Sequence, residues 1–455
     1  MTPAPSDTAH FFPRVPGGPL LTVARGEGIH LYDRDGRAFI DGASGAAVAC
    51  LGHAHPRIVE ALARQAATVA FTHSSVWISE PALELSDRLA AWVPDPDARV
   101  LFTSGGSEAV DTAIKLARAY QLARGRADRF RIASREVSYH GATMGALSAT
   151  GLARRRAPYG PMLAPAIRTS TSYCYRCPHG QTPDACASEC AADVESAIAR
   201  HDADLAAVMI EPVVGASAPG VGAPPDYFRR VAEACRIHDV LFIADEVMSG
   251  AGRTGRRLAM EHYGVWPDVV VLSKGLSGGY APLGAVIVSG RVYDAIRQTP
   301  PGQFIHGFTY SASPLAAAVG VEVQRVIDET GLLAHVEAMG ARLREALTPV
   351  ARQHAMVGDV RGRGLLVGLE LVADRATREP FPPATRLAQR VFEAALEQGL
   401  IVYPCAGTLP DGRGDQILLA PPYIIRAEEV DDLAARLARA LTVAAATIAT
   451  QTPRS

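Results

Sequence analysis

Between about residue 98 and residue 288, short uninterrupted apolar runs alternate with segments of helical periodicity, and this alternation is what most limits the fold. The runs are 100–102, 130–133, 206–210, 240–244, 269–272 and 285–288, and residues 107–123 and 227–238 are among the helical segments between them. A strand with one wet face would alternate apolar and polar residues. Continuous runs separated by helices instead indicate parallel strands covered on both faces. The expected fold class is α/β, with a large domain built on a mostly parallel central sheet flanked by helices.

The flanking regions read differently. The first twenty residues are rich in Pro, Gly and polar residues and predict an irregular arm. A β segment over 28–40 follows, with a turn at Asp33-Arg34-Asp35-Gly36, and then helices over 58–69 and 81–92. Beyond a helical stretch at 330–350, segments 364–372, 385–398, 399–403 and 417–419 predict a smaller α+β domain, closing with a helix from Ala427. The expected division is 1–70 for the arm and part of the small domain, 71–325 for the large domain and 326–455 for the C-terminal small domain.

A formal net charge of -2 provides no basic field for nucleic acid. No apolar stretch reaches membrane-spanning length, and residues 1–19 lack the pattern of a signal peptide. The default expectation is a soluble, cytoplasmic protein. Of the 45 basic side chains only Lys115 and Lys274 are lysines. Chemistry that needs a primary amine on a side chain therefore has two candidates, because a guanidinium does not deprotonate usefully.

Lys274 follows the run Val269-Val270-Val271-Leu272-Ser273 and precedes Gly275-Leu276-Ser277-Gly278-Gly279. Desolvation at a strand mouth lowers an amine's pKa and makes it a nucleophile towards an aldehyde. Lys115 lies in an amphipathic helix and is expected to face water. Asp245 ends the run 240–244, at the strand edge where such sheets bind ligands, and can pair with a protonated pyridine nitrogen. Strand alternation turns Glu246 the other way. Ser104-Gly105-Gly106-Ser107 opens a helix and offers backbone N–H groups to a phosphate. Tyr139 can stack on a planar ring or fill the core. The Thr309 hydroxyl suits a phosphate ligand or a helix cap equally.

With these residues in place, the chain resembles the class III (subgroup II, fold type I) aminotransferases over nearly its whole length. The strongest motifs are Leu241-Phe242-Ile243-Ala244-Asp245-Glu246-Val247 and Leu272-Ser273-Lys274-Gly275-Leu276-Ser277-Gly278-Gly279. Ser107-Glu108-Ala109, Glu211-Pro212, Gly250-Ala251-Gly252-Arg253-Thr254-Gly255 and His306-Gly307-Phe308-Thr309-Tyr310 extend the likeness. The resemblance implies pyridoxal 5′-phosphate as cofactor, bound to Lys274 as a Schiff base, with Lys274 also shuttling the proton. It implies that Asp245 pairs with the ring nitrogen and that Tyr139 and Val247 sandwich the ring. Gly106 and Ser107 would hold the phosphate, Glu211 would lie near the ring, and Thr309 would reach the neighbouring subunit's phosphate in a homodimer or higher homo-oligomer.

The implied activity is transfer of an amino group from an amine or ω-amino acid to a 2-oxo acid by a ping-pong mechanism. An aminomutase, epimerase or decarboxylase on the same scaffold is the alternative, and a non-catalytic sensor is a further one. Arg413 falls near the arginine that some relatives use for a substrate carboxylate, although a solvated loop arginine fits as well. Ser44-Gly45 is followed by Ala46-Ala47-Val48 where many relatives carry an aromatic wall. The insertion with Cys174, Cys177, Cys186 and Cys190 has spacing compatible with a structural Zn²⁺, an iron–sulfur cluster, two disulfides or four free thiols.

Overall fold

A computed structural model describes residues 10–15 and 20–451. Residues 1–9 and 16–19 of the expected N-terminal arm lie outside the described residues, and 10–15 form neither helix nor strand. The alternating region builds a seven-stranded sheet. Its order is Arg99–Thr103, Gly284–Val288, Val269–Leu272, Leu241–Asp245, Leu205–Ile210, Arg131–Arg135 and Ile167–Thr169. The last five pair in parallel.

The burial predicted by the continuous runs has a simple geometric form. Leu241 and Ile243 pack with Ala113, Leu116 and Tyr120 of the helix Gly106–Ala123 on one face of the sheet. Phe242 and Ala244 pack with Val231 and Cys235 of Tyr227–His238 and with Val194 and Ile198 of Glu189–Arg200 on the other. Successive residues of one strand thus enter opposite cores.

Two features depart from the expectation. Gly284–Val288 runs antiparallel to both neighbours. The segment from Ser273 to Leu283 contains only the short 3-10 turn Lys274–Leu276, and a parallel return needs a much longer crossover. The edge strand Ile167–Thr169 is also absent from the sequence reading, because three residues are too few to show a period.

The predicted smaller lobe is an antiparallel sheet in the order Val357–Arg363, Leu366–Leu371, Asp415–Leu419 and Tyr403–Ala406. Its core includes Ile29, Ile40, Leu51 and Ile58 from the beginning of the chain, packed with Leu369, Ile417 and Leu437. The strand Leu400–Ile401 pairs in parallel with Ala38–Asp41 and joins the two ends of the sequence directly. The helices Pro56–Thr68, Glu80–Ala90, Leu332–Gln353 and Leu387–Glu397 lie close to their predicted positions. Among the described residues no helix is long and apolar enough to cross a membrane.

Gly340 shows how tightly this lobe is joined. It lies inside Leu332–Gln353, and a Cβ there would run into the backbone of Gly364, at the turn between Val357–Arg363 and Leu366–Leu371. On an open helix Gly→Ala would gain about 1 kcal/mol. At this position overpacking reverses the sign. Gly340→Ala is expected to lower the unfolding free energy by roughly 1–3 kcal/mol, read as a lower urea midpoint.

Candidate active site

The strands Leu241–Asp245 and Val269–Leu272 lie side by side, with Asp245 opposite Val271. Their carboxyl ends therefore bring Asp245 and the segment bearing Lys274 to the same edge of the sheet. Asp245 is only 4% exposed. One carboxylate oxygen lies 2.7 Å from Nδ1 of His140, and the other accepts a 3.1 Å hydrogen bond from the backbone N–H of Val247. Glu246 points away, as alternation requires. It accepts from the Ser249 hydroxyl at 2.5 Å and from the Met260 N–H at 2.8 Å, and burial raises its carboxyl to about 7.

His140 joins this cluster although its sequence context assigns it no part there. Its ring is fully buried, Nδ1 faces Asp245, and Nε2 has no hydrogen-bond partner. The only signal for it was its place beside Tyr139, because no local pattern tells a histidine which carboxylate it will meet.

Lys274 begins the turn after its strand with φ at +48°, a left-handed conformation that is uncommon for a side chain of this size. Burial lowers its amine to about 8, partly opposed by the negative charges of Asp245 and Glu211 and reinforced by Arg253. Among the described residues Nζ has neither a hydrogen-bond nor an ion-pair partner. Glu211 accepts from the backbone N–H groups of Tyr139 at 3.2 Å and Gly215 at 3.1 Å, and its carboxyl is raised, chiefly by burial. Arg135 supports it from behind, donating to the Glu211 carbonyl at 2.7 Å and to Ser172 Oγ at 2.8 Å.

The helix Gly106–Ala123 starts beside this cluster. Its N-cap, Gly105, supplies no side-chain cap, so the first-turn N–H groups stay available, with the positive end of the helix dipole behind them. A Cβ on Gly106 would come within 2.9 Å of Val247 and 3.5 Å of Ser273, so glycine is what lets the helix start approach the two strand ends. Ser107 Oγ accepts from the Ala142 N–H at 3.0 Å, and Gly141, at φ +139°, passes so close that its Cβ would lie 2.6 Å from that oxygen. Gly106, Ser107, Tyr139, Val247 and Lys274 are the partly exposed members of an otherwise buried neighbourhood.

Three groups of predicted residues stand apart. Thr309 is exposed and does not cap the following helix, whose N-cap is Ser313. Nearby His306 lies 2.8 Å from Thr112 Oγ1 and 3.4 Å from the Lys115 ammonium, so Lys115 is exposed as expected yet also meets this loop. Arg413 is held by Asp411 at 2.7 Å and Glu379 at 2.6 Å. The zinc expectation is corrected: among the described residues no group of three or more His, Cys, Asp or Glu side chains can hold a metal ion, and all the cysteines are free. Cys190 faces the core with Ala191, Val194 and Ile198, and Cys174 sits exposed on the turn Cys174–Arg176.

The family model for class III aminotransferases matches residues 13–441. The chain belongs to this family. The aminotransferase YodT of Bacillus subtilis is 39% identical, covering 91% of this chain and 93% of that protein. The diaminobutyrate–2-oxoglutarate transaminase of Halomonas elongata is 34% identical, covering 93% and 90%. Among solved structures, an (S)-enantioselective ω-transaminase from Thermomicrobium roseum superposes with a TM-score of 0.89 at 36% identity, covering 96% of each chain. The ω-transaminase of Pseudomonas jessenii in complex with PMP gives 0.90 at 32% identity, covering 97% and 98%. The fold is therefore that of the fold-type-I transaminases, and this class III aminotransferase is an enzyme of amino transfer.

A measurable consequence concerns the lysine. In protein freed of bound ligand, trapping of Lys274 by a small aldehyde with reduction should reach half-maximum near pH 8. Asp245→Asn removes a charge that supports the ammonium, so it should move that midpoint lower. A midpoint at the ordinary lysine value of 10.5 would mean that the amine is solvated.

Proposed function

We propose that this aminotransferase holds pyridoxal 5′-phosphate at the Lys274–Asp245 edge and moves an amino group from an amine or ω-amino acid to a 2-oxo acid in two half reactions. The observation that carries the reading is an unpartnered amine beside a buried carboxylate that is itself held by His140. The donor set suits each part of the group. The uncapped helix start with Gly106 and Ser107 fits the phosphate, Asp245 fits a protonated ring nitrogen, and the exposed surfaces of Tyr139 and Val247 fit the two faces of the ring. Glu211 would lie near the ring.

When bound, the cofactor supplies an electrophilic aldehyde and an electron sink. The protein does the rest. Asp245, oriented by His140 and the Val247 N–H, would hold the proton on the ring nitrogen, and Lys274 Nζ would carry a proton to and from the substrate carbon. The names of the Halomonas and Thermomicrobium relatives support an amine or amino acid as donor and a 2-oxo acid as acceptor.

Thr309 in this reading serves the phosphate of a second subunit. Its surroundings support such a contact: Tyr310 packs edge-on against Phe71 with centroids 5.8 Å apart, and Val76, Trp77, Ile78 and Ile305 are exposed. Exposed apolar side chains in such number are ordinarily covered when they lie together.

Borohydride reduction of the holoenzyme should attach the cofactor to the peptide containing Lys274, and Lys274→Ala should abolish transfer while leaving the fold intact. Label on Lys115 would refute the assignment. Asp245→Asn should slow turnover by at least about 100-fold, since preorganised electrostatics of this type contribute several kcal/mol. Amine added without acceptor should release about one equivalent of carbonyl product per subunit, as a ping-pong half reaction requires. Racemised or rearranged amine instead would point to an epimerase or aminomutase. Sedimentation should give a particle of at least twice the 48.0 kDa chain mass.

A further inference from the structure

Arginines in this protein commonly hold carboxylates, as Arg129 holds Asp202, Arg230 holds Glu195 and Arg361 holds Glu370. Arg154, Arg155 and Arg156 are different. They follow one another on the short helix Ala153–Arg156, and among the described residues none of them pairs with a carboxylate. Arg154 donates only to the Ala406 carbonyl, at 3.3 Å, and Arg156 leaves a buried Nε unsatisfied.

Arg155 is the one aimed at the site. Its guanidinium carbon lies 5.7 Å from the centre of the Tyr139 ring. Its charge also acts on Tyr403 and Cys405 of the strand Tyr403–Ala406, so it stands where the two lobes meet above Tyr139. Contact with an aromatic face orients a guanidinium while leaving its N–H fork free for a planar anion. Arg413, by contrast, would have to release both Asp411 and Glu379 before it could bind anything.

We propose that Arg155, rather than Arg413, receives the carboxylate of the 2-oxo acid, with Arg154 and Arg156 adding positive charge that draws anions to the entrance. The proposal rests on the reading of Tyr139 as the residue that covers the cofactor ring. It makes Arg155 a specificity-determining residue: a substrate without a carboxylate has no use for it.

The test uses the holoenzyme, with pyruvate as acceptor and 1-phenylethylamine as a carboxylate-free donor. Loss of a charge-assisted fork should raise the pyruvate KM of Arg155→Gln by about 10- to 100-fold, with a far smaller effect on kcat. The 1-phenylethylamine half reaction in the same variant should change by less than about 2-fold. Arg155→Lys should recover part of the loss, because it restores charge but not the fork. An unchanged pyruvate KM in Arg155→Gln would overturn the proposal, most directly if Arg413→Gln raises it. Calorimetric titration of the holoenzyme with propionate reads the same contact without turnover. There, weaker binding by Arg155→Gln supports the anion site even if the wild type fails to transfer an amino group, an outcome that would count against the proposed function instead.

Discussion

A carboxylate at the end of a fully buried strand is the constraint around which this molecule is arranged. Asp245 cannot sit there without hydrogen-bond partners: a buried polar group left unsatisfied costs about 1–3 kcal/mol. His140 and the Val247 N–H meet that requirement. To bring His140 there, the segment after Arg131–Arg135 must turn back over the sheet edge, and Thr150 Oγ1 holds it by accepting from the His140 N–H at 2.9 Å. The same turn carries Tyr139 and Gly141 to Glu211 and Ser107. One buried carboxylate thus organises four strand ends.

Part of the molecule's backbone strain lies in the neighbouring loops. Ser44, Ala47, Ala251 and Lys274 all adopt positive φ without being glycine, a conformation that persists only where the surroundings hold it. Arg253 and Tyr423 supply part of that hold. Arg253 Nη1 donates to the carbonyls of Leu365 at 3.1 Å and Pro421 at 2.6 Å, its guanidinium lies 4.6 Å from the Tyr423 ring, and the Tyr423 hydroxyl donates to Ala251. The small lobe is therefore fastened to the strained loops of the large one. Ala46, after Ser44-Gly45, presents only a methyl group.

The cysteine-bearing insertion finds a structural explanation without a metal. Its Tyr173 hydroxyl donates to Glu370, Arg176 donates to the same carboxylate at 2.8 Å, and Gln416 links Tyr173 to Thr408 at 3.1 and 3.0 Å. Arg361 completes the set, 3.0 Å from Glu370 and 2.5 Å from the Gln416 side-chain oxygen. Such a buried network is favourable only when its members are satisfied together. It docks the insertion on the small-lobe sheet, next to the loop that carries Arg413.

The sequence by itself determined the α/β architecture, because continuous apolar runs are stable only as strands covered on both sides. It also put Lys274 and Asp245 at one edge, since residues at the ends of such runs must emerge at the carboxyl edge of the sheet. Those are local consequences of period and position. The antiparallel Gly284–Val288, the three-residue edge strand, the His140–Asp245 pair and the capture of Arg413 by Glu379 were decided only by the tertiary structure. Each depends on where residues far apart in the chain come to rest. No local periodicity carries that information, because side-chain pairing across lobes is set by the packing of whole elements.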